Sequence, residues 1–378
     1  MRKISFIVNG HTGCDYYRAR NPYIYLSQTN TEEVQFKLVE IADLERQRPE
    51  ALETLATSDI WIIGRIADPN VFARVESIKQ KHGKDIQVII DYDDDMNRIM
   101  PLNPAYRDWG TSNIFYRGQW LYKDKETVTG HNPDGSPVVF DIERNKGNLT
   151  RFKTCVQKAD WITVTTEELE KTYRKHTQRV GVLPNLVDTD LWSPLNIVKT
   201  DEIRICWAGG SSHYEDLISV LPNLASIIAK FPKTKLVMVG QRFDGIMKSF
   251  PADRIEYHAW SQYPVYPHIM RSLNFDIGIC PLIESPFNHN KSAVKWMEYS
   301  ALEIPSVCAN MKPYSPVVKD NETALLYDTP KDFAEKLESL IVDKELRVKI
   351  GKQAREEVIK NHSWKNNVNV WREYLKSR

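Results

Sequence analysis

The stretch 275–309, FDIGICPLIESPFNHNKSAVKWMEYSALEIPSVCA, decides how the chain is to be read. An apolar run ends at Pro281, a polar loop rich in Asn and His follows, an amphipathic segment runs from Lys291 to Glu303, and a second apolar run starts at Ile304. Strand, loop, helix and strand in that order make a parallel crossover unit, which places the loop at the carboxyl end of a strand, where open α/β sheets bind ligands. Lys291, Lys295 and Glu298 fall at i, i+4 and i+7, so one helix face is expected to carry all three. A lysine at a helix start opposes the helix dipole unless an anion is held there, and phosphate is the guest such a terminus favours. The plainer reading is a solvated face carrying a weak Lys295 to Glu298 pair.

The same alternation extends in both directions. KISFIVNG, DIWIIGR, IQVIIDYD, ADWITVTT and RVGVLPN read as strands in the first half; IRICWAGG, KLVMVGQ, RIEYHAW, FDIGICPL and IPSVCAN read as strands in the second. The expected fold is α/β, two doubly wound Rossmann-like domains facing a cleft: residues 1–190, then 200–362, followed by an amphipathic helix over 363–378 with a face to bury. Periodicity lapses over 185–204, the expected linker, and Trp364, Val368, Trp371 and Leu375 recur at helical spacing beyond it.

A length of 378 residues suits two such domains, and 42% hydrophobic with 27% charged residues excludes disordered and membrane classes. With 51 basic against 50 acidic residues there is no general attraction for nucleic acid or anionic lipid. Met1–Val8 has too short an apolar run for a signal h-region, no run approaches the roughly 18 residues of a membrane span, and five scattered cysteines fit reduced thiols, so a cytoplasmic protein is expected.

Four further stretches carry candidate chemistry. ICWAGGSSHYEDLISVL, residues 205–221, turns from strand to helix through Gly209, Gly210, Ser211 and His213, a phosphate-friendly turn without the spacing of a dinucleotide fingerprint or P-loop. IVNGHTGCDYYRAR offers Gly10 and Gly13 for close backbone approach and Arg18 for a phosphate or carboxylate. IIDYDDDMNRI groups Asp91, Asp93, Asp94 and Asp95 at a strand end, a metal site, a polar wall or a helix cap; Asp94 joins Lys291 and Lys295 in the expected catalytic set, and no metal is assigned. Residues 101–153 interleave eight aromatics with eight basic and six acidic residues, an insertion suited to contacting an acceptor but with too little net charge for a single-stranded nucleic-acid groove.

Together, the two doubly wound halves, VLPNLVDTDLW, the stretch 279–309 and a last helix led by HSW resemble nucleotide-sugar glycosyltransferases of the GT-B fold, of the family-four or group 1 kind. The resemblance implies a second domain that binds a nucleotide diphosphate sugar, a first domain that binds a hydroxyl acceptor, a last helix over 363–378 that crosses back to pack on the first domain, transfer with retention, domain closure, and no metal or tightly bound cofactor. Glu298 matches the family glutamate that bonds the ribose, while Asn290 stands where a sugar-contacting glutamate is usual. The family's diphosphate-clamping Arg and Lys are missing from GGSSHYED, so Lys291 with Lys295 is expected to substitute. Asn288, Asn290 and Ser292 complete the expected donor set, with Gly240 and Trp260 beside the base and a UDP-sugar favoured. A glycan, or a hydroxymethylated pyrimidine of phage-type DNA, is the expected acceptor. The alternatives are a nucleotide-sugar epimerase, drawing on Asp91–Asp95, and a catalytically silent sugar-nucleotide binder.

Overall fold

The computed structural model describes residues 1–28, 33–131, 136–198, 200–263 and 265–378, with no side chains given for 129–131. The first half forms β1 (Arg2–Val8), β2 (Val34–Glu40), β3 (Ile60–Gly64) and β4 (Gln87–Tyr92), then two antiparallel hairpins, β5 (Ile114–Tyr116) with β6 (Gln119–Tyr122) and β7 (Thr127–His131) with β8 (Pro137–Val139). β9 (Trp161–Val164) and β10 (Val180–Val182) complete it. The second half supplies β11 (Ile203–Gly209), β12 (Thr234–Gly240), β13 (Ile255–Ala259), β14 (Ile277–Cys280), β15 (Ser306–Ala309) and β16 (Leu325–Tyr327).

Two six-stranded sheets result, in the orders β10-β9-β4-β3-β1-β2 and β13-β12-β11-β14-β15-β16. Every pairing within them is parallel. Parallel strands are covered by helices on both faces, which is why runs such as Ile60–Ile63 and Ile205–Ala208 are buried without alternation. All ten strands expected from the sequence are present. β2 and β16 were not anticipated: VQFKLVE mixes charged and apolar residues as an edge strand does, and LLY is too short to stand out.

Of the segment between the sheets, residues 183–198 and 200–202 are without helix or strand, but they are not a loose tether. Leu183, Leu186, Val187 and Trp192 are buried, and Val187 bridges to Ser363. The last helix, Trp364–Lys376, buries Trp364, Trp371 and Leu375 among Ile4, Phe6, Val8 and Leu26 of the first half, and Trp371 donates its indole N–H to the Pro184 carbonyl at 2.9 Å. Trp364 stacks on Tyr25 with ring centroids 5.6 Å apart.

The 101–153 segment divides into parts with different roles. From Ile142 onward it belongs to the crossover helix Ile142–Lys158, and Phe152 packs against Tyr92 and Tyr173 in the core. Tyr106, Tyr122 and Phe140 pack together, whereas Phe115 and Trp120 stand exposed, edge to face at 5.1 Å. Residues 132–135 lie outside the described residues. Among the described residues no helix is long and apolar enough to cross a membrane, and the five cysteines are free thiols.

Candidate active site

In the second sheet the strand order reverses between β11 and β14, so the turn after β11 and the loop after β14 diverge and leave a crevice at their carboxyl ends. The first half closes over it, forming a cleft of about 330 Å³. From the second half Gly209, Gly210, His213, Gly240, Trp260, Lys291, Ser292, Lys295 and Glu298 line it; from the first come Gly13, Arg18 and Asp94. Gly240 is required where it stands, because its φ of +108° disfavours any side chain and an added Cβ would lie 2.5 Å from the Gly209 carbonyl oxygen.

The expected helix face is not formed as read. Ser285 caps a short helix, Pro286–His289, inside the stretch expected to be loop, and the main helix runs only from Val294 to Ala301. Lys291 therefore precedes the helix, with its ammonium 3.8 Å from Asp94 and over the Phe287 ring at 4.6 Å. Proline after serine made Ser285–Pro286 a helix start, and that signal was readable in the sequence. The two lysines still converge on the cleft, through the turn between helices instead of along one helix face.

Lys295 is the cation at the centre. Its Nζ is buried with no hydrogen-bond partner, 5.8 Å over the Trp207 ring, and an added Cβ at Gly209 would lie 3.3 Å from it. Burial pulls its pKa down to about 8 despite the pull of Asp216, with Lys291 adding to the fall. His213 beside it bonds Asp216 at 2.7 Å through Nδ1, and burial with the two lysines drives its pKa down to about 3. A neutral His213 donating from Nδ1 keeps Nε2 as an acceptor at the cleft wall.

Glu298 does not pair with Lys295. Its carboxylate accepts hydrogen bonds from the Tyr17 hydroxyl at 2.9 Å and the Tyr266 hydroxyl at 3.4 Å. Burial raises its pKa to about 7, opposed by the Tyr17 bond, Lys295 and the Tyr266 bond.

Several expected donor contacts are committed elsewhere. Arg18 does reach a carboxylate, but it is the protein's own: it forks onto Asp91 at 2.8 and 2.6 Å and also bonds the Leu183 carbonyl and Asn185, so its donors are used internally. Asn288 is fully buried and donates to Asp216 and the Ile283 carbonyl; Asn290, 3% exposed, bonds Asp95, Thr172 and the Pro286 carbonyl. Neither lines the cleft, and nor does Ser211. The aspartates are parted as well, with Asp93 on Arg65 at 3.0 Å, Asp95 near Arg98 at 3.5 Å and Asp94 facing Lys291. Among the described residues no three His, Cys, Asp or Glu side chains are grouped to hold a metal.

A second cavity, about 310 Å³, opens at the reversal of the first sheet between β1 and β3, lined by Gly10, Thr12, Asp15, Arg65 and apolar residues such as Ile41 and Ile62. Cys14, Arg18 and Asp93 line both cavities. Sequence reading missed Tyr17, Tyr263, Tyr266 and Asn185 as cleft residues, since a tyrosine in an apolar pattern looks like core and its neighbour across a domain gap has no sequence signal.

Residues 222–373 match the family model described as glycosyl transferase-like. A curated relative, glycosyltransferase 1 domain-containing protein 1 of Xenopus tropicalis, is 31% identical over 83 residues, which span 22% of this chain and 24% of that protein. The fold is similar over the full length of both chains to sucrose-phosphate synthase of Thermosynechococcus elongatus (TM-score 0.63, 14% identity) and to HepE of Anabaena, solved with UDP and glucose (TM-score 0.63, 11% identity). It is also similar to a putative UDP-N-acetylglucosamine 2-epimerase of Listeria monocytogenes, over 99% of this chain and 96% of that one (TM-score 0.53, 10% identity). The chain thus has the GT-B architecture, two Rossmann-like domains across a cleft, and its second half carries a glycosyl transferase-like domain.

Proposed function

We propose that the protein transfers a sugar from a nucleotide diphosphate sugar, a UDP-sugar first among candidates, to a hydroxyl acceptor, with retention and without a metal ion. The observation that carries this reading is Lys295: a buried ammonium with no partner, at the crevice between β11 and β14, beside a glycine turn. An uncompensated buried charge is costly, and a diphosphate in the cleft would neutralise it. As the bond from the anomeric carbon to the leaving oxygen breaks, negative charge grows on the diphosphate. Lys295 and Lys291 stabilise that charge more in the transition state than in the ground state. Asp94, opposite Lys291, holds the second ammonium at the cleft mouth, and Glu298 accepts from the ribose hydroxyls. Trp260, 53% exposed at the rim beside Gly240, offers a face for the base.

Fold alone serves transferases and epimerases equally. Residues favour the transferase, because the aspartates an epimerase would draw on are committed, with Asp91, Asp93 and Asp95 each tied to an arginine and Asp94 facing Lys291.

The test is a thermal-shift panel of UDP-, GDP-, ADP- and CMP-sugars on the wild type and on Lys295→Met, followed by assay of nucleotide release with the stabilising donor, with and without EDTA. Stabilisation by one series, lost in the variant, is expected, with release insensitive to EDTA. No shift with any donor overturns the reading, and stabilisation without release under any acceptor would make the protein a binder.

A further inference from the structure

Among the contacts that cross the cleft, one joins the first domain to the carboxylate assigned to the ribose. Tyr17 sits in the turn of π-helix Tyr16–Arg20 and Glu298 in the helix Val294–Ala301, 281 positions later. Their side chains meet at 2.9 Å, and each residue is only 6% exposed. Both line the cleft.

We propose that Tyr17 is a positioning residue that makes the ribose-binding carboxylate of Glu298 competent only when the two domains are closed. This rests on the donor-site reading above.

A carboxylate has about four acceptor positions. Tyr17 takes one on Oε1 and Tyr266 one on Oε2, which leaves each oxygen a second lone pair for a vicinal diol. Tyr266 belongs to the same domain as Glu298 and stays with it in any domain arrangement, but at 3.4 Å it is the weaker bond. Tyr17 is the closer donor and leaves when the domains part. A carboxylate this deeply buried depends on its hydrogen bonds to stay charged and fixed in one rotamer. Among the described residues, the groups interacting with it are the hydroxyls of Tyr17, Tyr263 and Tyr266, the Lys295 ammonium and the Cys206 thiol, and of these Tyr17 alone comes from the other domain. Tyr17 is itself held by Tyr263 edge to face at 6.3 Å, so its hydroxyl is aimed before any ligand arrives. Donor binding and closure are thereby coupled: each favours the other by the same factor.

The experiment compares UDP with 2′,3′-dideoxy-UDP by calorimetry on the full chain, as wild type and as Tyr17→Phe, with GDP or ADP and their dideoxy forms used if the panel above selects those bases. The wild type is expected to prefer the ribose form. Tyr17→Phe, which keeps the ring and its packing, is expected to lose about 10-fold in UDP affinity and nothing toward dideoxy-UDP, as the loss of one hydrogen bond to a charged group implies. Equal loss toward both ligands, or a lowered melting temperature with the preference intact, assigns Tyr17 a structural role and overturns the proposal while the donor site stands. A wild type without ribose preference also overturns it. A wild type that binds no nucleotide overturns the donor-site reading and this proposal together.

Discussion

The amide nitrogen of Asn290 donates to the carboxylate of Asp95 across 2.9 Å, and both residues are buried. The same amide's oxygen accepts from Thr172, and its backbone carbonyl accepts from Thr166. Asp95, Thr172 and Thr166 all belong to the first half of the chain, so one asparagine from the second half ties the domains through three buried or half-buried bonds. An amide suits this place because it donates to one neighbour and accepts from the other at once.

Replacing Asn290 with Asp removes the donor and sets two carboxylates against each other in a buried place. Burial already pushes Asp95 upward, and a second carboxylate beside it favours the protonated form further. We expect a loss of about 3–5 kcal/mol in urea unfolding at pH 8, in line with a broken buried charge contact. Acidification should restore part of it, and a pH-independent loss would show that the amide acts by shape alone.

Lys295→Met keeps the stem under Trp207 and removes the buried ammonium. Turnover should fall by at least about 100-fold, the scale of one lost transition-state stabiliser. The melting temperature without ligand should hold or rise, since an unpaired charge has been taken from the interior. Reduced stability with unchanged turnover would place the phosphate site elsewhere.

Stability without ligand should pass through a minimum in pH from two groups of opposite sign. Glu298 is raised from 4.5 to about 7, so its contribution is present below about pH 4.5 and lost as pH rises through 7. Lys295 is lowered from 10.5 to about 8, so its contribution is present above about pH 10.5 and lost as pH falls through 8. Between pH 7 and 8 both are charged and buried. Melting curves of the wild type against the double variant Lys295→Met with Glu298→Gln test this: the difference should be largest in that window. Donor affinity of the wild type should decline above pH 8 as Lys295 loses its proton.

Trp371→Ala opens the seam where the last helix lies on the first sheet. The indole is fully buried, donates to Pro184 and lies 4.9 Å from the Arg18 guanidinium. The expected cost is about 3–5 kcal/mol by urea unfolding. A smaller step confined to detachment of the helix would show as a separate early transition.

What the sequence determined by itself was the fold and the identity of the central charges. Short Val- and Ile-rich runs bounded by Gly, Pro and Asn can be buried on both faces only in a parallel sheet, so ten of the twelve sheet strands were legible, and the ligand crevice followed from where such sheets reverse. Lys291, Lys295 and Glu298 stood out because lysines have no reason to crowd a helix start without an anion. Tertiary structure alone decided which polar groups remain free for a ligand. Arg18 and Asn290 looked like ligand contacts until Asp91 and Asp95 were found to satisfy them, and Tyr17 looked like core until Glu298 met it. Hydrogen-bond partners 73 to 281 residues apart leave no trace in local spacing, because only tertiary packing brings them together, within one domain for Arg18 and Asp91 and across the domains for the other two pairs.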